Sequence, residues 1–369
     1  MLSGRMASKR LNQGNLFSYQ EADWVDMGTS RDRVIQTLRH EPVDRAARDL
    51  WASPATELQR GDEWAEMLRR YPNDILRPEF RYPGGHRTRG SVSEVGQHTD
   101  AWGCVWQVNQ RGEAPELKHS PLADSRQPAS FRPPANLLDK ANFASVNKAC
   151  AGSSRFALAW TDVRPFDRLQ WLRGPEAALS DLRSGARPIR DLLGALHEFY
   201  CREIALWVGT EVDGIVIQDD WGSDGGLLLP PQIFREVFKP LYRDYCREIH
   251  AHDKFAFFRS TGNLEAVMED LIDIGFDAVH AHLFSMNVES LAERFHHRIV
   301  FWGGSDASKL LVQGTVDEVK AAVRRVRAAF DFGRVGIIAQ CLWDVRAPFH
   351  NIAAAMEQWL IPMPAHAHA

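Results

Sequence analysis

From about residue 155 onward, short apolar runs alternate with longer stretches whose apolar residues recur every three to four positions. FALAW (156–160), VDGIVIQ (212–218), KFAFF (254–258), DAVHAHL (277–283), IVFWGG (299–304) and VGIIAQ (335–340) read as strands. They are short, nearly continuous and rich in β-branched or aromatic residues, as parallel strands buried on both faces should be. Between them, LGALHEFYCREIALWV (193–208), PQIFREVFKPLYRDYCREIHAH (231–252), LEAVMEDLIDIG (264–275), VESLAERFHH (288–297) and TVDEVKAAVRRVRAAF (315–330) carry helical spacing. APFHNIAAAMEQWL (347–360) is the closing helix, and Pro240 predicts a kink or break in the second of these helices. Strand follows strand at steps of roughly 20–40 residues, the size of βαβ units.

Such alternation predicts a parallel sheet covered by helices. No GxGxxG follows a first strand, which disfavours a dinucleotide-binding sheet. With the N-terminal half supplying the missing strands, a single distorted (β/α)8 barrel fits best. Its expected limits are residues 29–362, preceded by a polar, aperiodic extension (1–28) and followed by a short disordered tail (363–369). Thr29 and Asp32 form a capping-box pair ahead of VIQTLRH. Residues 81–135, rich in Gly, Pro and Arg, read as a β-hairpin or loop elaboration.

Composition narrows the function. Net charge is −4, with acids and bases interleaved and no Lys/Arg stripe, so nucleic-acid and membrane-surface roles are disfavoured. Five scattered cysteines without CxxC spacing point to reduced thiols and a cytoplasmic setting. No apolar stretch approaches the roughly 18 residues of a membrane span, and no signal-peptide core is seen. Twelve tryptophans are many for 369 residues. Most should fill core, and the remainder would suit an aromatic-lined small-molecule pocket.

In such a barrel the site is built from residues at the carboxyl ends of strands. These are Asp162 and Arg164; Gln218, Asp219, Asp220 and Trp221; Arg259, Ser260 and Thr261; His280 and His282; Ser305 and Asp306; and Gln340, Cys341 and Trp343. Of Asp219 and Asp220, adjacent in the chain, at most one should face the pocket; a salt bridge or helix cap is the competing reading. His280 and His282, two apart on a strand, should share a face, and with Cys341 could form a metal site or simply polar walls. Arg164, Arg168 and Arg173 form a basic cluster suited to a carboxylate or phosphate, or a solvated helix face.

The stretches DGIVIQDDWGSDGGLLLPPQIFREVFKPLYR (213–243), FWGGSDASKLLVQGTVDEV (301–319) and RYPNDILRPEF (70–80) resemble the uroporphyrinogen decarboxylase superfamily, over roughly residues 30–362. The resemblance implies a distorted (β/α)8 barrel and one of two chemistries. One is cofactor-free decarboxylation, the other zinc-dependent methyl transfer between a corrinoid protein and a thiol. It places Asp74 where the family keeps a pocket aspartate. RDLWASPATELQ (48–59) lacks the arginine motif of the tetrapyrrole decarboxylases, and the methyltransferases' His-x-Cys is Arg259 and Thr261 here. Arg259 would repel zinc and attract an anion. Cys341 matches the family's later cysteine, and zinc could return only through His280, His282 and Cys341.

The expectation is therefore a barrel enzyme acting on a small anionic substrate, with Asp74, Asp220 and Cys341 as catalytic residues. Arg259, Arg164, Asp219, Trp221, Gln340 and Trp343 would bind substrate, and a corrinoid protein and a second copy of the chain are the expected partners. Methyl transfer through Cys341 stands slightly ahead of metal-independent decarboxylation, with a non-catalytic metabolite-binding barrel as the third reading.

Overall fold

Eight parallel strands line the centre of the computed structural model, which describes residues 28–124, 130–304, 309–330 and 336–361. They are β1 (Ala47–Ala52), β2 (Ile75–Leu76), β3 (Phe156–Trp160), β4 (Gly214–Gln218), β5 (Phe255–Arg259), β6 (Ala278–His280), β7 (Val300–Gly303) and β8 (Ile337–Trp343). Their hydrogen-bonded order is β1-β8-β7-β6-β5-β4-β3-β2, with β2 to β8 in sequence succession and β1 beside β8, which is the order of a (β/α)8 barrel. The segments read as an N-terminal extension (all but Gly28) and as a C-terminal tail lie outside the described residues. So do Ser305 and Asp306.

β1 and β2 are the two ends of that order, and side chains bridge them. The Asn73 amide accepts from the Leu50 N–H (2.7 Å) and donates to the Leu50 carbonyl (2.9 Å), as a strand backbone would. The Asp74 N–H donates to the Arg48 carbonyl at 2.9 Å.

Side-chain alternation divides the core in two. Ala47, Trp51, Phe156, Leu158, Val216, Phe257, Trp302 and Ile338 belong to an inner cluster that fills the barrel. Val34 and Leu38 join it from the helix Ser30–Leu38, which closes the amino-terminal end. That helix has its Thr29–Asp32 capping box in place. The alternate residues, among them Leu50, Ala159, Ile217, Phe258, Cys341 and Trp343, pack outward against the helices.

Two departures from the sequence pattern matter. The helix expected over 231–252 starts as Pro231–Ile233, widens into a π turn at Phe234–Phe238, and continues as Lys239–Ala251. The wide turn falls just ahead of Pro240, which has no N–H to donate. β6 ends at His280, and Leu283–Ser285 turns into a 3-10 helix, so His282 is not on a strand. Within 81–135 the chain forms a three-stranded antiparallel sheet, Gly96–Thr99, Val105–Val108 and Glu116–His119. Trp106 of this sheet meets Trp171 of the helix Pro165–Arg173 edge to face at 5.2 Å. Among the described residues no helix is long and apolar enough to cross a membrane.

Candidate active site

The strand period of two decides which strand-end residues reach the mouth. By alternation with the inner cluster, the inward side chains near the carboxyl ends are Trp51, Trp160, Gln218, Arg259, His280 and Trp302, with Gln340 and Leu342 from β8 and Arg77 just after β2. They fall into a charged half, on β3 to β5, and an aromatic half, running from β6 through β1 to β3.

The charged half centres on Arg259. Its Nη1 lies 3.5 Å from Asp220 Oδ1, and both side chains are partly exposed. The Asp220 N–H points to the Asp167 carboxylate at 3.3 Å. Asp167 lies in the first turn of the helix Pro165–Arg173 and is buried. Burial, then the charge of Asp220, raises its pKa to about 6, against the pull of Arg164 and Arg259. Arg164, just ahead of that helix, pairs with Asp162 (2.9 Å) and lies over Trp171. Two arginines thus flank two carboxylates, one exposed and one proton-holding.

The aromatic half is built round Asp49, which is 1% exposed in the middle of β1. Its Oδ2 accepts from the indole N–H groups of Trp51 (2.7 Å) and Trp302 (2.9 Å) and from Arg77 (2.5 Å). Its Oδ1 has no hydrogen-bond partner among the described residues, and neither has Gln340 Nε2, on the residue in register with Asp49. His280 stacks on Trp51, ring centres 4.9 Å apart, with Nδ1 3.4 Å from the Ser260 carbonyl. Burial first, then the Arg259 charge, pushes its pKa down to about 3, so the imidazole is neutral at ordinary pH.

Of the residues expected at the site, Arg259, Asp220, Arg164, His280 and Gln340 come together at the mouth. The others do not. Cys341 follows the inward Gln340, so it faces the helices and is buried in the outer core. His282, beyond the end of β6, is half exposed and 3.9 Å from Asp224. Among the described residues no three of His, Cys, Asp and Glu are grouped to hold a metal, so His280, His282 and Cys341 do not fit a zinc ion. Asp219 is fully buried and caps the helix Pro165–Arg173, accepting from the Phe166 (2.9 Å) and Asp167 (2.7 Å) N–H groups and the Tyr242 hydroxyl (2.6 Å). Asp219 thus follows the helix-cap reading, while Asp220, paired with Arg259, is the one of the two at the mouth.

Trp221 is core, stacked on Phe166 at 3.9 Å with its N–H on Tyr242. Trp343 faces outward, its indole N–H on the Ala347 carbonyl and Arg60 over its ring. Arg168 is buried against Asp162 and Trp102, and Arg173 is tied to Asp181.

Asp74 sits at the opposite end of the barrel. It precedes β2, and its carboxylate accepts from Arg33, Arg45, Ser30 and the Arg48 N–H. Asp213 and Asp277 precede β4 and β6 in the same way. Each of the three donates its N–H to the carbonyl of the second residue of the preceding strand (Arg48, Ala157, Ala256) and accepts that residue's N–H on its carboxylate. The backbone carbonyl of each aspartate then accepts from the N–H of the first residue of the following strand (Phe156, Phe255, Val300). Asp74 is one of three structural aspartates.

Sequence reasoning missed Asp49, Arg77 and Asp167. Asp49 lies mid-strand rather than at a strand end, and alternation from Trp51 would have found it. Asp167 lies on a helix, close to the mouth only because Asp219 holds that helix's first turn.

The family model for uroporphyrinogen decarboxylase (URO-D) matches residues 99–357. Among solved structures, a methyltransferase from Methanosarcina mazei superposes with a TM-score of 0.68 at 16% identity, over 90% of this chain and 98% of its own. That likeness is one of fold. A glycosylated endo-β-1,4-xylanase from Gloeophyllum trabeum aligns with a TM-score of 0.46 at 10% identity, over 88% of this chain and 99% of its own. No curated protein sequence matches significantly.

Proposed function

The chain belongs to the uroporphyrinogen decarboxylase family, and from that premise we propose that it is a metal-independent decarboxylase of a small carboxylate substrate. The observation that carries this reading is the Arg259–Asp220–Asp167–Arg164 cluster at the mouth. Methyl transfer through a Cys341 thiolate would need that thiol in the mouth, where Gln340 stands instead.

Arg259 anchors the anion and stabilises negative charge that develops beside it. The bond from the substrate carbon to its carboxylate breaks, carbon dioxide leaves, and the electron pair stays on that carbon, delocalised into the substrate's own carbonyl or π system. Asp220, the exposed acid, touches the substrate and relays to that carbon the proton that Asp167 supplies. Asp167, buried behind it, holds that proton up to about pH 6 and is reprotonated by solvent after each turnover. His280, neutral and fixed by stacking, is a wall and hydrogen-bonding group rather than an acid.

The test is carbon dioxide release from a panel of β-keto and aromatic carboxylic acids, by the wild type and by Asp220→Asn and Arg259→Met. Turnover should fall about 10²–10⁴-fold in Asp220→Asn, with KM rising chiefly in Arg259→Met. Turnover that survives both substitutions would sink the proposal, and ligand binding without any turnover would favour the non-catalytic barrel.

A further inference from the structure

The charged cluster leaves the aromatic half of the mouth without a task. Trp51, Trp160 and Trp302 stand edge to face with ring centres 5.4, 5.1 and 6.0 Å apart. Arg77 lies against two of them, its guanidinium carbon 4.7 Å from the Trp51 ring and 4.9 Å from Trp160. Beneath is Asp49, whose Oδ2 receives every donor while its buried Oδ1 has no partner among the described residues.

An arginine serving as a structural pin ordinarily grips a carboxylate through two nitrogens. Arg77 uses one, and its buried Nε is also unpartnered. It follows the shortest barrel strand and precedes Pro78, and its side chain is 29% exposed, so it can swing outward. What it would leave is a slot walled by indole faces over a buried carboxylate. Such faces attract weakly hydrated organic cations. Two of the three indole N–H groups are already committed to Asp49, so the slot offers ring surface and a carboxyl group whose anion burial opposes and a cation in the place of Arg77 favours. A methylated ammonium needs nothing else.

We propose that the three-tryptophan cage binds a methylated ammonium group of the substrate, and that Arg77 is an internal stand-in that withdraws when the ligand enters. Resting on the carboxylate reading for its other half, this makes the substrate a zwitterion, with its carboxylate at Arg259 and its ammonium in the cage. His280 is in register with Arg259 and stacks on Trp51, so one side chain's width separates the two subsites.

The experiment titrates tetramethylammonium chloride and glycine betaine into the wild type, Arg77→Ala, Arg77→Ala/Trp160→Ala and Arg259→Met. Tryptophan fluorescence and calorimetry report binding, and near-ultraviolet circular dichroism confirms the fold. Arg77→Gln is titrated in parallel as a guard against misfolding. Tetramethylammonium should bind Arg77→Ala saturably, at least tenfold tighter than the wild type, and the added Trp160→Ala should abolish this. Betaine should bind the wild type at least tenfold tighter than tetramethylammonium, an advantage lost in Arg259→Met. Absence of tetramethylammonium binding to folded Arg77 variants, or binding indifferent to Trp160, would overturn the cage. A cage that binds while betaine gains nothing would retain the ammonium site and overturn the zwitterion and its carboxylate anchor.

Discussion

At the scale of single residues, the acid pair gives the clearest consequence of placement. Asp167 ionises near pH 6 because burial and the Asp220 charge both oppose its anion. A proton donor is active in its protonated form, so kcat/KM should hold steady below about pH 6 and fall about tenfold per unit above it. Asp167→Asn should remove that limb and leave a low, flat profile. The linkage has the opposite benefit. A raised carboxyl pKa contributes stability below the unfolded value, and that contribution is lost as pH rises through about 6. Asp167→Asn should therefore be more stable than the wild type at pH 8, on the order of 2 kcal/mol, measured by urea unfolding. A variant that loses activity and stability together would point to a merely structural role. Arg259, Asp220 and His280 were legible in the sequence because each sits where a long apolar run stops. Asp49 and Arg77 were not, since one hides inside RDLWA and the other follows a strand of two residues, too short to show a period.

At the scale of elements, an aspartate ahead of each even strand from β2 to β6 ties it to the odd strands on both sides. The resemblance of RYPNDILRPEF to the family places Asp74 at the site, but NDIL, VDGIV and FDAVH carry the same acid ahead of a strand, and all three acids stand at the amino-terminal end. At the barrel's amino-terminal face a fixed charged residue serves stability. Burial opposes the Asp74 anion, but Arg45, Ser30 and the Arg48 N–H outweigh it and hold its pKa below the usual carboxylate value. The stability it confers is thus complete above about pH 4 and lost as pH falls through its lowered folded value. Asp74→Asn should cost about 3 kcal/mol or more at pH 7, because Arg45 loses its buried counter-charge and Arg33 is left with Asp44 alone. Its pH–rate profile should match the wild type's. A lost kinetic limb with unchanged unfolding would instead return Asp74 to the chemistry. From residue 155 onward helix and strand identities were well marked in the sequence; β1 and β2 were not, their apolar runs being short and polar-edged, nor was the π turn before Pro240, because its residues keep helical spacing.

At the scale of the whole molecule, the eight-strand order follows from sequence succession, and closure is the step that succession does not supply. β2 is short, so it offers β1 little backbone to pair with. Asn73 makes up the deficit with a side-chain amide that carries both a donor and an acceptor. Trp51 and Asp49, on β1, and Arg77, after β2, lie on the two sides of this seam, so the aromatic half of the mouth depends on it. Asn73→Ala would strip partners from both the N–H and the carbonyl of Leu50, at about 1–3 kcal/mol for each buried group left unpaired. The expected result is a fall in unfolding free energy of about 2 kcal/mol or more. Faster hydrogen exchange should be confined to residues 47–52 and 73–77, and the fluorescence of the tryptophan cage should change with it. Asn73→Asp keeps the acceptor but not the donor, and should fall between the two. If exchange instead rises evenly round the barrel, the seam is no weaker than any other strand pair, and the cage owes its shape to core packing alone. If it rises only at the seam, the opening that would let Arg77 withdraw is built into the barrel's closure.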